Sequence, residues 1–135
     1  MDKTYRVAGY VKLAKLWEKS REKAVTLHNS FFQERYRENP NMQLVGVYVD
    51  ITGNKNTYKR PEMVRLINDC RHGLVDVIVM QTRAYFAANS EEMCYLFNYL
   101  FTLPYRIDII TDDTDGRIDT ILNVEKQREI GRAHV

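Results

Sequence analysis

The chain has 135 residues, 44% apolar and 28% charged, which is one domain of ordinary size with enough apolar material for a core. A net charge of +2 excludes a strongly basic or acidic chain and says little about partners. No apolar run reaches membrane-spanning length, and the opening MDKTYRVAG has no signal-peptide core. The expectation is therefore a cytoplasmic protein with no membrane partner.

The distribution of charge says slightly more. Residues 1–40 carry nine Lys/Arg against five Asp/Glu, and residues 108–119 carry five Asp against one Arg. Surface charge this modest is more often solvation than a phosphate-binding face. Cys70 and Cys94 lie far apart with no CxxC spacing, each on the apolar side of an expected helix. They read as small buried hydrophobes, not as metal ligands or a disulfide.

Tyr5–Leu13 is rich in Val and Tyr and reads as a first strand, buried on nearly both faces. Residues 16–38 contain no Pro or Gly and mix charge with Leu27, Phe31, Phe32 and Tyr36, which suits one long helix on a sheet. Pro40 stops it. Residues 44–49 are a second strand, and the polar run 52–59 is a loop. A helix over 60–70 starts with Pro61 in its first turn and places Met63, Leu66, Ile67 and Cys70 on one face. Gly73 is its natural stop.

Residues 75–80 form a third strand. Asn89 and Glu92 resemble a capping box for a helix reaching about Leu103, with Met93, Phe97, Leu100 and Phe101 inward and Pro104 beyond its end. Residues 106–111 make a fourth strand. Alternating strands and helices imply an α/β fold, doubly wound, with a mainly parallel sheet of four to five strands, helices on both faces and flavodoxin-like topology.

The end of the chain reads EIGRAHV. The codons GAG-ATC-GGA-AGA-GCA-CAC-GTC would encode it, and that string looks like a common sequencing adapter. Residues 129–135 are accordingly read as a non-native tail, with 121–128 the start of a truncated C-terminal helix and 1–120 the domain.

Motifs for chemistry are first notable by absence. There is no GxGxxG, no Walker loop and no metal-spaced His/Cys set, so neither a cofactor nor a metal is expected. His28, His72 and His134 are scattered, and His28 reads as a packing or surface residue. Composition and pattern alone stop at an α/β domain whose strand ends, around residues 50–60 and 81–89, are the place for a site.

One block goes further. VGVYVD, then Thr52-Gly53, Arg60-Pro61, and Gly73 with Asp76 before the third strand stand in one order with matching flanking strands. The chain resembles the N-terminal catalytic (resolvase/invertase) domain of serine site-specific recombinases, particularly the large serine recombinases of mobile elements. The resemblance spans roughly residues 5–120, with the loop between Asp50 and Arg60 about one residue short.

The resemblance implies a resolvase-like fold and a phosphoserine mechanism. In that family a serine after the first strand attacks a DNA phosphodiester while several arginines stabilise the charge on the phosphate. Arg suits this because its fork is planar, bidentate and permanently charged.

The family's Tyr-x-Arg-x-Ser is here Tyr10-Val11-Lys12-Leu13-Ala14. Ala14 stands at the nucleophile position and Lys12 at an arginine position. The family's Ser-Arg-Phe-x-Arg-Asn is here Ala84-Tyr85-Phe86-Ala87-Ala88-Asn89, so Tyr85 and Ala88 stand at two more lost arginine positions while Phe86 and Asn89 are kept. Arg83 could enter one of those roles only by breaking the register.

No catalytic set is intact on this reading. Arg60 and Lys12 remain as candidate DNA-phosphate contacts. Arg60, at a helix start, calls for a nearby anion, which is either a phosphate or Asp50.

The expectation is a recombinase-family protein of DNA recombination that cannot cleave DNA itself: a degenerate partner or regulatory domain, forming a homodimer or a heterodimer with an active recombinase. DNA binding by the fragment alone should be weak, since no recognition module is present. The alternatives are an active recombinase using an unrecognised nucleophile, Ser20 or Ser30, and an inert truncated remnant.

Overall fold

A computed structural model of the chain describes residues 4–53, 59–82, 85 and 90–112, without the side chains of 90–94 and 97. Four strands are described: β1 (Tyr5–Leu13), β2 (Met42–Ile51), β3 (Val77–Met80) and β4 (Asp108–Thr111). They form one sheet in the order β2-β1-β3-β4. Every adjacent pair is parallel. The helices are α1 (Arg21–Tyr36), α2 (Pro61–Arg71) and α3 (Ser90–Thr102). This is the doubly wound α/β arrangement expected from the pattern.

Side-chain alternation along the strands separates two cores. Ala8, Tyr10, Tyr48, Ile78, Met80 and Ile109 meet Met63, Leu66 and Cys70 of α2 and Leu96 and Leu100 of α3. Val7, Val11, Val49, Ile51, Val77, Val79 and Ile110 meet Ala24, Phe32 and Tyr36 of α1 on the other face. Gly9 sits at the centre of β1 because the Phe32 ring occupies the place of a side chain: an added Cβ would lie 3.0 Å from three of its ring carbons.

The helix expected over 16–38 divides in two. A 3-10 segment, Lys15–Ser20, precedes α1. The buried residues of α1 are Ala24, Phe32 and Tyr36. Leu27 and Phe31, expected to face the sheet, are 65% and 43% exposed. The face α1 offers the sheet is narrow, so two of its large apolar residues lie outside it.

Other boundaries moved by a few residues. β2 is longer than expected at both ends, whereas β3 and β4 each begin two residues later. In α3, Leu96 and Leu100 are the buried residues. Met93, Phe97 and the Asn89–Glu92 capping pair lie outside the described side chains.

The ends of α2 follow the sequence signals. Pro61 stands at its first position. Gly73 adopts φ 72° past its C-terminus, where the Leu74 amide bonds back to Asp69 O at 3.0 Å, a left-handed stop that favours glycine. Asp76 then ties β3 to β1. Its carboxylate accepts from the Arg6 amide at 2.8 Å and from Arg6 Nε and Nη2 at 3.0 Å each. The Gly73–Asp76 motif is thus accounted for at the N-terminal edge of the sheet.

Candidate functional site

The parallel strands end together at one edge, and the sequence-predicted residues gather there. β1 and β2 are paired along their whole length, with a bulge that sets Val7 opposite Leu44 and Ala8 opposite Gly46. The shifted register brings Lys12 opposite Asp50 and Tyr10 opposite Tyr48. Ala14 follows β1, extended at φ -64°, ψ 152°, and exposed. The Thr52 amide closes the edge by donating to Leu13 O at 3.0 Å.

Asp50 is the centre of this edge. It is 3% exposed. Its carboxylate accepts from the amides of Glu62 and Met63 at 2.9 and 2.8 Å, and from the Tyr10 hydroxyl at 2.8 Å. A carboxylate here satisfies two otherwise unpaired N–H groups of α2 and opposes the positive end of its dipole. Asp50 therefore caps α2 from a distance, because the residue at the N-cap, Arg60, makes no side-chain cap bond. The Tyr10 phenol is pushed well above the usual range, chiefly by burial, then by the charge and hydrogen bond of Asp50. It stays protonated at any working pH.

Arg60 is 1% exposed, the largest fully buried side chain among the described residues. Its Nη1 donates to the backbone carbonyl of Tyr85. The Tyr85 amide donates in turn to Thr82 O at 3.1 Å, and Tyr85 packs partly buried against both core clusters. Tyr85, expected to stand at an arginine position of the family, is thus an aromatic residue in contact with the core. Asp50 lies at the start of α2, where it accepts from the first amides of the helix.

Arg21 is a residue that sequence reasoning missed. It forms a two-point pair with Glu18, at 3.0 and 2.6 Å. Its pKa is raised chiefly by that bond, and the charges of Asp50 and Glu62 add to it. The first turn of α1 thus lies within electrostatic reach of the strand-end edge. Arg21 could have been found from its place at the start of the first helix after β1.

The alternative nucleophiles separate. Ser20 caps the start of α1 with no side-chain cap bond. Ser30 lines a shallow groove with Met42, Gln43 and Leu44, at the opposite end of the sheet from Ala14. Phe86, Ala88, Asn89 and Arg83 lie outside the described residues. Among the described residues, no group of His, Cys, Asp and Glu could hold a metal ion. Burial pushes the Cys70 thiol up to about 12, so it is an inert core residue.

A second concavity, about 240 Å³, lies between α2 and α3. Met63, Val64, Ile67, Tyr95, Leu96 and Tyr99 supply its apolar wall. Of the residues at the strand-end edge, Met63 alone lines it, through its apolar side chain, while Ala14, Lys12, Asp50, Arg60 and Tyr85 do not. As it stands, the edge can hold and position. Among the described residues, Ala14 offers no side-chain nucleophile there, and the Asp50 carboxylate is engaged by three donors.

No protein-family profile matches the chain. No curated protein matches it either. Solved structures do. The N-terminal catalytic domain of TP901-1 integrase superposes with a TM-score of 0.62 at 18% identity, covering 95% of this chain and 97% of that one. A resolvase family site-specific recombinase from Streptococcus pneumoniae gives 0.58 at 17%, covering 97% and 90%. The C-terminal catalytic domain of ISC1926 TnpA, an IS607-like serine recombinase, gives 0.55 at 17%, covering 77% and 69%. The chain has the fold of serine recombinase catalytic domains.

Proposed function

We propose that this chain is a serine-recombinase-type domain of DNA recombination, related to mobile elements, that does not cut DNA itself. It acts as a degenerate partner or regulatory domain, associating with DNA weakly and pairing with itself or with an active recombinase. One observation carries the reading. At the strand-end edge the residue that the motif resemblance matches to the nucleophile is Ala14, a methyl group, and the one it matches to an arginine is Tyr85, an aromatic ring packed on both cores. Removing a covalent nucleophile lowers the rate by many orders of magnitude, and loss of the guanidinium fork removes the stabiliser of the developing phosphate charge.

A cytoplasmic location belongs to the same proposal. Among the described residues, no helix is long and apolar enough to cross a membrane.

Association with DNA is tested by a gel-shift titration of the chain on duplex DNA across a salt series. The expected result is weak binding that falls steeply with salt, because phosphate contacts release counterions. Replacing Lys12 by Met should lower the slope by about one contact, roughly 0.9 in log–log units. No shift at any salt would contradict the DNA part of the proposal.

A further inference from the structure

We infer that Arg60 is a positioning residue, an internal clamp that holds the main chain after β3 against the start of α2, and that its guanidinium is committed inward instead of to a phosphate. The inference deepens the reading above and rests on it only for where DNA would approach.

A desolvated guanidinium persists only where partners replace its water. Arg60 is 1% exposed, and its Nη1 is given to the Tyr85 carbonyl. It also acts on the Tyr10 phenol, opposing the rise in that group's pKa. Tyr10 donates to Asp50, and Asp50 holds the α2 amides. Arg60 therefore belongs to a closed network joining β1, β2, α2 and the turn after β3. The turn itself is marked by the bond from the Tyr85 amide to Thr82 O.

The partner of the clamp is the main chain of Tyr85, whose side chain packs against both core clusters. A phosphate could recruit the guanidinium only by reaching a group that is 1% exposed and already bonded inward. The position is also wrong for a cation that has no anion of its own, since a helix N-terminus disfavours positive charge. Asp50 already supplies the anion at this point.

The test uses Arg60→Met and Arg60→Lys in the full chain, with two measurements. Amide exchange is followed at Tyr85, with Val7 and Val11 of β1 as reporters of the whole fold. The salt slope of DNA binding is measured in parallel. A clamp predicts exchange at Tyr85 faster by about tenfold or more in both variants, since Lys carries the charge but not the fork. It also predicts little change at Val7 and Val11, and an unchanged salt slope.

A phosphate ligand predicts the reverse: a slope lower by about one contact in Arg60→Met, with Tyr85 exchange as in the parent chain. That result would overturn the inference. Should Arg60→Met fail to fold, Arg60→Lys carries the exchange test alone. Should the parent chain bind no DNA, the proposed DNA association fails separately, and unaltered Tyr85 exchange in the variants would still overturn the clamp.

Discussion

An Asp50→Ala variant should be among the least stable single substitutions in this chain, by about 4 kcal/mol in urea unfolding. The change removes one acceptor and strands three donors at once: the Glu62 and Met63 amides and the Tyr10 hydroxyl. Tyr10 is fully buried, so water cannot replace the lost partner without opening the core. Each unmet buried donor costs about 1–3 kcal/mol, and bonds to a charged acceptor stand at the upper end. Asp50→Asn should fall between the parent and Asp50→Ala. It keeps one acceptor oxygen but turns an amide N–H₂ toward the donors and removes the charge that opposes the α2 dipole. Equal midpoints for all three proteins would show that Asp50 does not cap α2.

The second large effect concerns the reaction. On the proposed function, a hydroxyl introduced alone, by Ala14→Ser, should not give strand cleavage. The nucleophile is only one part of such a centre. Phosphoryl transfer depends mainly on positioning and on fixed positive charge around the phosphate. Lys12 brings charge without a planar fork. Tyr85 brings neither, and its ring packs against both cores. Residues that act as a unit are strongly non-additive, so returning one member recovers little. Nicking of supercoiled plasmid by Ala14→Ser should stay at the level of the parent chain. Vigorous nicking by that single variant would show that the remaining side chains suffice.

Much of this fold is legible in the sequence because its signals are local. The bounds of β1 come directly from its run of Val and Tyr, and Pro61 and Gly73 bracket α2 as their backbone chemistry dictates. The division of the first helix is less legible. Residues 15–20 contain no Pro or Gly to mark a change of helical type. Leu27 and Phe31 satisfied an apolar pattern that tertiary packing left partly unused.

The contacts at the strand-end edge were not legible. Ala14, Lys12 and Tyr85 enter only through the motif resemblance. No short-range pattern announces that Asp50 caps a helix beginning eleven positions later, or that Arg60 turns inward to a carbonyl 25 residues away. Those bonds exist because parallel strands end at one edge. The electrostatic reach of Arg21 to Asp50 depends on the same convergence.

The most direct measurement is a search for a covalent protein–DNA adduct after incubation of the parent chain with supercoiled DNA, by denaturing gel and mass spectrometry. The account predicts no adduct, because Ala14 offers no oxygen to the phosphodiester and Tyr10 is buried and protonated. A phosphoserine-linked adduct, at Ser20 or any other serine, would contradict it.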